Sequence, residues 1–236
     1  MRCWIDTDVG DDPDDAIALL CAAAHPDVEL VGISTVDGDV EQRASIAREV
    51  VRDVEVVAGP PPASALAAAD TLLLIGPWTH GAEIVTDRRL PERVGAMGGS
   101  TRPVVHRGQL QVVEHNVRRD PGAARILLAQ PNPLLITPLN VTATITCTRA
   151  EERELVRLEP RLEAMLANWR AVADAPLCLH DPLAFLALVG EPGIEIERRG
   201  LSVGHNGVVR SHGFRHDVVV AADRDAIVSR VLALLG

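Results

Sequence analysis

The 236-residue chain has no tyrosine, two phenylalanines and three tryptophans, so aromatic packing can supply little of its interior. Alanine, valine and leucine must fill that role. With 47% hydrophobic residues there are enough of them for one substantial core, and a single domain over residues 1–236 is the default expectation. The four cysteines (Cys3, Cys21, Cys147 and Cys178) have no C-x-x-C spacing, which argues against a zinc site or a disulfide framework and for reduced thiols. No apolar run reaches membrane-spanning length. Met1-Arg2-Cys3-Trp4 enters a strand pattern at once, without the basic region and apolar stretch of a signal peptide, so a cytoplasmic location is expected. Net positive charge is also missing. The formal charge of −10 argues against nucleic acid as a partner. Internal repeats, linkers and low-complexity segments are absent as well.

What the chain has in excess is aspartate in one place. Asp6, Asp8, Asp11, Asp12, Asp14 and Asp15 place six carboxylates within ten positions, between a short apolar run and the helical pattern Ala16 to Ala24. Carboxylates packed so tightly repel one another, and such a cluster is kept where a cation binds. Hard oxygen donors suit Ca²⁺ or Mg²⁺. Asp12 is placed as a helix N-cap with Pro13 at the first helical position, and Asp14 and Asp15 fall in the first turn, at the positive end of the helix dipole. Asp6 and Asp8 alternate along a strand and are expected on one face of it, turned toward the helix start.

The rest of the chain alternates between strand and helix. Strands are expected over 2–6, 28–36, 54–58, 71–75, 93–97, 133–137, 194–203 and 216–221. Helices are expected over 13–24, 40–53, 79–87, 120–129, 181–189 and 222–235, with one or two more in 150–173. This spacing implies an α/β, Rossmann-like fold: a mainly parallel central sheet flanked by helices. In such folds ligands bind beyond the carboxyl ends of the strands, where the aspartates lie. Asn206-Gly207 marks a hairpin turn. His106, His205, His212 and His216 read as surface or loop residues. Trp4, Trp78 and Trp169 read as packing residues.

Two other segments carry chemistry-bearing side chains. In Leu179-His180-Asp181-Pro182-Leu183-Ala184 a His-Asp pair sits at a helix start. In Glu114-His115-Asn116 a Glu and an Asn two apart can share one side of an extended segment and offer hydrogen bonds to hydroxyls.

Taken in order, seven motifs resemble the nucleoside hydrolase family, the inosine–uridine-preferring type and its relatives. They are Asp6-Thr7-Asp8-Val9-Gly10-Asp11-Asp12-Pro13-Asp14-Asp15-Ala16, Ser34 to Asp39, Ile75-Gly76-Pro77-Trp78-Thr79-His80, and Met97-Gly98-Gly99. They continue with Glu114-His115-Asn116 followed by Asp120-Pro121-Gly122-Ala123-Ala124, Leu134 to Thr142, and His180 to Ala184. The order is kept over nearly the whole chain. There are departures: two extra residues sit inside the aspartate motif, the stretch from Gly59 to Thr71 is short, Asp39 stands where the family has Asn, and His80 replaces the Asn after Thr79.

The resemblance implies a hydrolase that cleaves the N-glycosidic bond of ribonucleosides to ribose and free base. It implies Ca²⁺ held by Asp8, Asp15, Asp181 and the main-chain oxygen of Thr79. Asp8 is then also the base that takes a proton from the attacking water, and His180 is the candidate acid for the leaving base. Asp14, Asp39, Glu114, Asn116 and His180 are implied to contact substrate. The implied partners are a small-molecule nucleoside and, as the family commonly oligomerises, other copies of the chain in a dimer or tetramer. The changes at Asp39 and in the short loop leave room for a modified nucleoside or another N-ribosylated small molecule. A non-catalytic nucleoside-binding protein and an Asp-based phosphatase are the further alternatives, and neither uses all of the surviving motifs.

Overall fold

The computed structural model describes residues 1–87, 90–173 and 175–236. Its ten described strands are β1 (Arg2–Thr7), β2 (Glu29–Thr35), β3 (Val56–Ala58), β4 (Thr71–Leu74), β5 (Arg93–Met97), β6 (Val104–His106), β7 (Gln109–Gln111), β8 (Leu135–Thr137), β9 (Ile194–Val203) and β10 (Val209–Ala222). Eight of them form one sheet in the order β3-β2-β1-β4-β5-β8-β10-β9. All neighbours in it are parallel except β9 and β10. The α/β expectation is met.

Residues alternate across the sheet as the pleat requires. Along β1, Cys3 and Ile5 pack to one face, with the helices Asp14–Ala24, His180–Val189 and Arg224–Leu235. Trp4 packs to the other, where the helices Thr79–Asp87 and Pro121–Leu128 contribute Ala82, Ala124 and Leu127. Trp4 pairs in register with Gly32 on β2. A Cβ at Gly32 would lie 2.1 Å from the indole, so only glycine leaves room for this ring.

The strand order positions the site. From β1 the chain winds outward through β2 to β3, then returns to β4 on the other side of β1. The ends of β1 and β4 therefore flank the point where winding reverses, and a crevice opens there. Asp8 follows β1 and Ile75 follows β4.

Several sequence expectations need correction. The first helix starts at Asp14, with Pro13 at the cap and no side-chain cap hydrogen bond, so Asp12 is not its N-cap. Glu114 and Asn116 are not on an extended segment: Glu114 caps the short helix His115–Arg119. His216 is fully buried rather than on the surface, with Leu134 N–H donating to its Nδ1 at 3.2 Å and Nε2 lying 3.2 Å from the Leu128 carbonyl. Strand β10 is longer than expected, and β6 and β7 form a separate hairpin that periodicity did not reveal.

Candidate active site

Two helix N-termini meet at the crevice. Asp14 and Asp15 open the helix Asp14–Ala24, and His180 and Asp181 open His180–Val189. Both dipoles present their positive ends to the acids. Asp14, Asp15 and Asp181 are buried, and each has a carboxylate oxygen within 4.8 Å of the other two. Elements more than 160 residues apart in the chain thus converge. Asp15 is held by Thr7, whose hydroxyl donates to its Oδ1 at 2.5 Å. The same hydroxyl oxygen accepts from Val9 N–H, which fixes the bend after β1. The Asp181 backbone N–H acts on the Asp14 carboxyl in the direction that favours its ionised form.

Burial, then the neighbouring carboxylates, push Asp15 and Asp181 well above the usual carboxylate range. Asp8 and Asp14 are raised as well, again chiefly by burial. Like charges this close cannot all ionise without a compensating cation. An all-oxygen set of buried carboxylates is the donor chemistry of a hard divalent ion. The trio therefore fits the metal that the sequence resemblance implies.

The ligand set differs in detail from the expectation. Asp8 lies within ligand distance of Asp37 and His115, and it lines the same cleft as the trio, where its charge acts on Asp15 and Asp181. Thr79 does not face the crevice. As the first residue of its helix it offers its carbonyl to the helical ladder, and its hydroxyl donates to Asp120 Oδ2 at 2.8 Å across to the next helix. The neighbouring carbonyl that does reach the site is that of Ile75, which lines the cleft and accepts from Asn116 Nδ2 at 3.1 Å. Asp39 is exposed and spent as an N-cap, accepting Gln42 N–H at 3.0 Å. Asp37, on the same turn at φ 65°, is the residue that approaches Asp8. Asp6 points to the opposite face of the sheet from the trio's helices: its Oδ1 accepts Ser34 Oγ at 2.5 Å and pairs with His80 Nδ1 at 2.9 Å. His80 is consequently a buried partner of Asp6 and not a wall of the base pocket.

The cleft has a volume of about 450 Å³ and brings together Asp8, Asp14, Asp15, Glu114, Asn116, His180 and Asp181. Glu114 is buried and multiply bonded. Its Oε2 accepts Gly99 and Val117 N–H, and its Oε1 accepts Asn116 N–H. Burial raises its pKa, while these backbone donors pull the other way. Asn116 Nδ2 also reaches the Met97 carbonyl at 3.2 Å, so one amide ties the ends of β4 and β5 together.

His180 Nδ1 lies 2.7 Å from Thr142 Oγ1. That hydroxyl is also 3.4 Å from the Leu139 carbonyl and donates there. In the tautomer where Nδ1–H donates to this oxygen, His180 Nε2 is an unprotonated acceptor. Burial, then His106 and Arg107, push its pKa down to about 3. An imidazolium acid at neutral pH needs the opposite shift, so His180 is held as the neutral imidazole.

Residues that periodicity and motif spacing did not find complete the cleft. Arg43 binds the Asp8 carbonyl and the Asp37 carbonyl and pairs with Asp11 at 3.0 Å, which staples two loops together. The β6–β7 hairpin roofs the opening with His106, Arg107, Gln109 and Gln111. Arg107 sits at φ 49°, pairs with Asp12 at 2.6 Å, and lies over the Trp169 ring. His106 packs edge-on against His180, with centroids 5.1 Å apart.

Comparison with known proteins places this arrangement. The sequence matches the family described as inosine-uridine preferring nucleoside hydrolase over residues 3–70 and 54–229. An uncharacterised protein of Schizosaccharomyces pombe is 26% identical over 229 residues, covering 74% of this chain and 73% of that protein. Among solved structures, a plant nucleoside hydrolase superposes with a TM-score of 0.82 at 18% identity, over 99% of this chain and 98% of the other. An inosine-uridine preferring nucleoside hydrolase from Bacillus anthracis gives 0.78 at 18% identity, over 99% and 98%. These two likenesses concern the fold, and the sequence match spans nearly all of it. The chain belongs to the inosine-uridine preferring nucleoside hydrolase family.

Proposed function

We propose that this chain hydrolyses the N-glycosidic bond of ribonucleosides with the help of a hard divalent cation, Ca²⁺. The observation that carries the reading is the trio Asp14, Asp15 and Asp181, buried and convergent at the switch point of the sheet. These three would hold the ion, with the Ile75 carbonyl beside them. When bound, the ion acidifies a water and offers coordination to vicinal sugar hydroxyls.

The chain's own groups supply the rest. Asp8, at the rim of the cleft, is the base that takes the proton of the attacking water. The surrounding carboxylates stabilise positive charge developing on the sugar in an oxocarbenium-like transition state. Glu114 and Asn116 bind and orient the sugar, and this grip on a non-reacting part of the substrate aligns the bond that breaks. The base departs with the electron pair of the broken bond and takes its proton from solvent in the open cleft, while neutral His180 accepts a hydrogen bond from another ring N–H of the base and positions it. The described residues act as one unit, since the sheet draws strands from both ends of the chain.

The roof favours a polar leaving group over a plain one. Arg107, Gln109 and Gln111 offer hydrogen bonds where an aromatic stacking wall would otherwise stand. This supports, as a second reading, a modified base or another N-ribosylated small molecule. The test is release of reducing sugar from inosine, uridine and a panel of modified nucleosides. Turnover is expected to fall on the order of 10³-fold in Asp15→Asn and on chelation. Undiminished turnover in Asp15→Asn would remove the reading.

A further inference from the structure

We propose that His106, Cys178 and His180 form a second metal site, selective for a thiophilic ion such as Zn²⁺ and distinct in chemistry from the carboxylate trio. Each offers one donor atom, and the three atoms lie within 4.8 Å of one another. They come from three elements: the end of β6, the segment bridged to Thr146, and the first turn of the helix His180–Val189. Two imidazoles and a thiol are soft donors. They suit Zn²⁺ and suit Ca²⁺ poorly, whereas the aspartates reverse that preference.

Each donor is prepared for the role. His180 Nδ1 already has, in Thr142 Oγ1 at 2.7 Å, the outer oxygen partner to which a metal-bound imidazole donates; donation there orients the ring and leaves the Nε2 lone pair for the ion. The His106 ring makes no hydrogen bond among the described residues, and its ring contact is with His180. The Cys178 thiol has only the Pro176 carbonyl, at 3.8 Å, as a partner among the described residues. Donors around tetrahedral zinc stand roughly 3.4–3.6 Å apart, given Zn–N near 2.1 Å and Zn–S near 2.3 Å. A closing shift of about 1 Å meets this, and His106 can supply it because it rides on a two-stranded hairpin.

The charge balance also permits a cation here. Arg107 is the adverse neighbour, but its charge is matched by Asp12 at 2.6 Å. Burial first, then Asp14, push the Cys178 thiol up to about 12, so the thiolate forms only with a cation beside it, and the carboxylates' part of that shift favours one there. On coordination the thiol proton leaves to solvent and the thiolate binds. The fourth position opens into the cleft, where both histidines line the wall. An ion there engages the His180 lone pair that the hydrolytic reading assigns to the leaving base, so Zn²⁺ acts as an inhibitor of hydrolysis.

The test uses the full chain, stripped with chelator, reloaded with excess Ca²⁺, and titrated with Co²⁺ as a spectroscopic substitute for Zn²⁺. One equivalent of Co²⁺ is expected to bind, with a near-ultraviolet thiolate-to-cobalt band and strong visible absorption. Zn²⁺ is expected to displace it. Cys178→Ser removes the near-ultraviolet band, and Thr142→Val weakens binding by about 10–100-fold. His106→Ala, on the hairpin rather than in the core, weakens binding at least about tenfold and guards against misfolding of the cysteine variant. A cobalt spectrum without the thiolate band, the same band in Cys178→Ser, or displacement of Co²⁺ by millimolar Ca²⁺ overturns the proposal. None of these readouts depends on sugar release, so failure here is separable from failure of the hydrolytic reading.

Discussion

At the scale of single residues, the tightest constraint away from the site is the pairing of Trp4 with Gly32. The indole lies against the glycine, and its Nε1 donates to Ser34 Oγ at 3.0 Å. Gly32→Ala must displace the ring or the strand. Overpacking of this kind costs about 1–3 kcal/mol, so a lowered urea midpoint with an unchanged slope is expected. An unchanged midpoint would mean that the ring has room to move. Residues of this kind explain what could be read from the chain and what could not. The crowding at Asp14 and Asp15 was legible because it is a local property, and His-Asp-Pro marked a helix start at Asp181; that Asp14, expected as a sugar contact, stands with Asp15 and Asp181 was not. Thr79 and Asp39 misled because both lie in the right motif but one turn or two residues from the atom that faces the cleft. Ile75 offers only a backbone carbonyl, and a carbonyl has no signature in a sequence. Asp6 shares the aspartate run with Asp8, yet β1 ends at Thr7, so the alternation that would have placed them on one face stops between them.

At the scale of elements, the helix Arg149–Leu158 begins with a capping box. Thr148 accepts Glu151 N–H, and the Glu151 carboxylate accepts Thr148 N–H at 2.7 Å while also pairing with Arg224 of the last helix. The Arg224 hydrogen bond is the main cause that holds the Glu151 carboxyl down, at about 2. A depressed carboxyl contributes stability above its unfolded pKa and loses it as pH falls through the folded value. The contribution is therefore complete above about pH 4.5 and disappears toward pH 2. Glu151→Gln is expected to lose about 1 kcal/mol at neutral pH. Its stability should fall less steeply than that of the wild type between those two pH values, as read from urea midpoints; parallel curves would discount the cap. The β6–β7 hairpin is the element that the sequence concealed. Its strands have three residues each, and its turn is Arg107-Gly108 rather than Asn-Gly. An arginine at positive φ is disfavoured by about 1 kcal/mol, and here the Asp12 pair and the Trp169 ring hold it. Arg107→Ala should free the roof. Amide exchange over 104–111 is expected to speed up by about tenfold or more, on the basis of ~1.4 kcal/mol lost per tenfold. Protection equal to the wild type would show that the strands hold the hairpin by themselves.

At the scale of the whole molecule, the α/β alternation was readable because each strand and helix carries its own period. The closure of the site was not, because it depends on a strand order that brings β1, β4 and the helix His180–Val189 to one crevice. That closure has an energetic consequence. Without a cation, folding forces Asp14, Asp15 and Asp181 together in a buried place, and the repulsion opposes folding. The unfolded chain holds them apart. A cation that binds only the folded state adds RT ln(1 + [L]/Kd), about 2.7 kcal/mol at a hundredfold excess over Kd, or roughly 5–10 °C in Tm for a chain of this length. Thermal unfolding with chelator and with Ca²⁺ is expected to differ by that amount. Asp181→Asn separates the two effects with opposite signs. It removes one charge from the crowded trio, so its chelated form should melt at or above the chelated wild type. It also removes a ligand, so Ca²⁺ should add little or nothing. An Asp181→Asn variant that melts lower than the chelated wild type, yet gains as much from Ca²⁺, would mean that the carboxylates are joined by hydrogen bonds and protons and that the cation sits elsewhere.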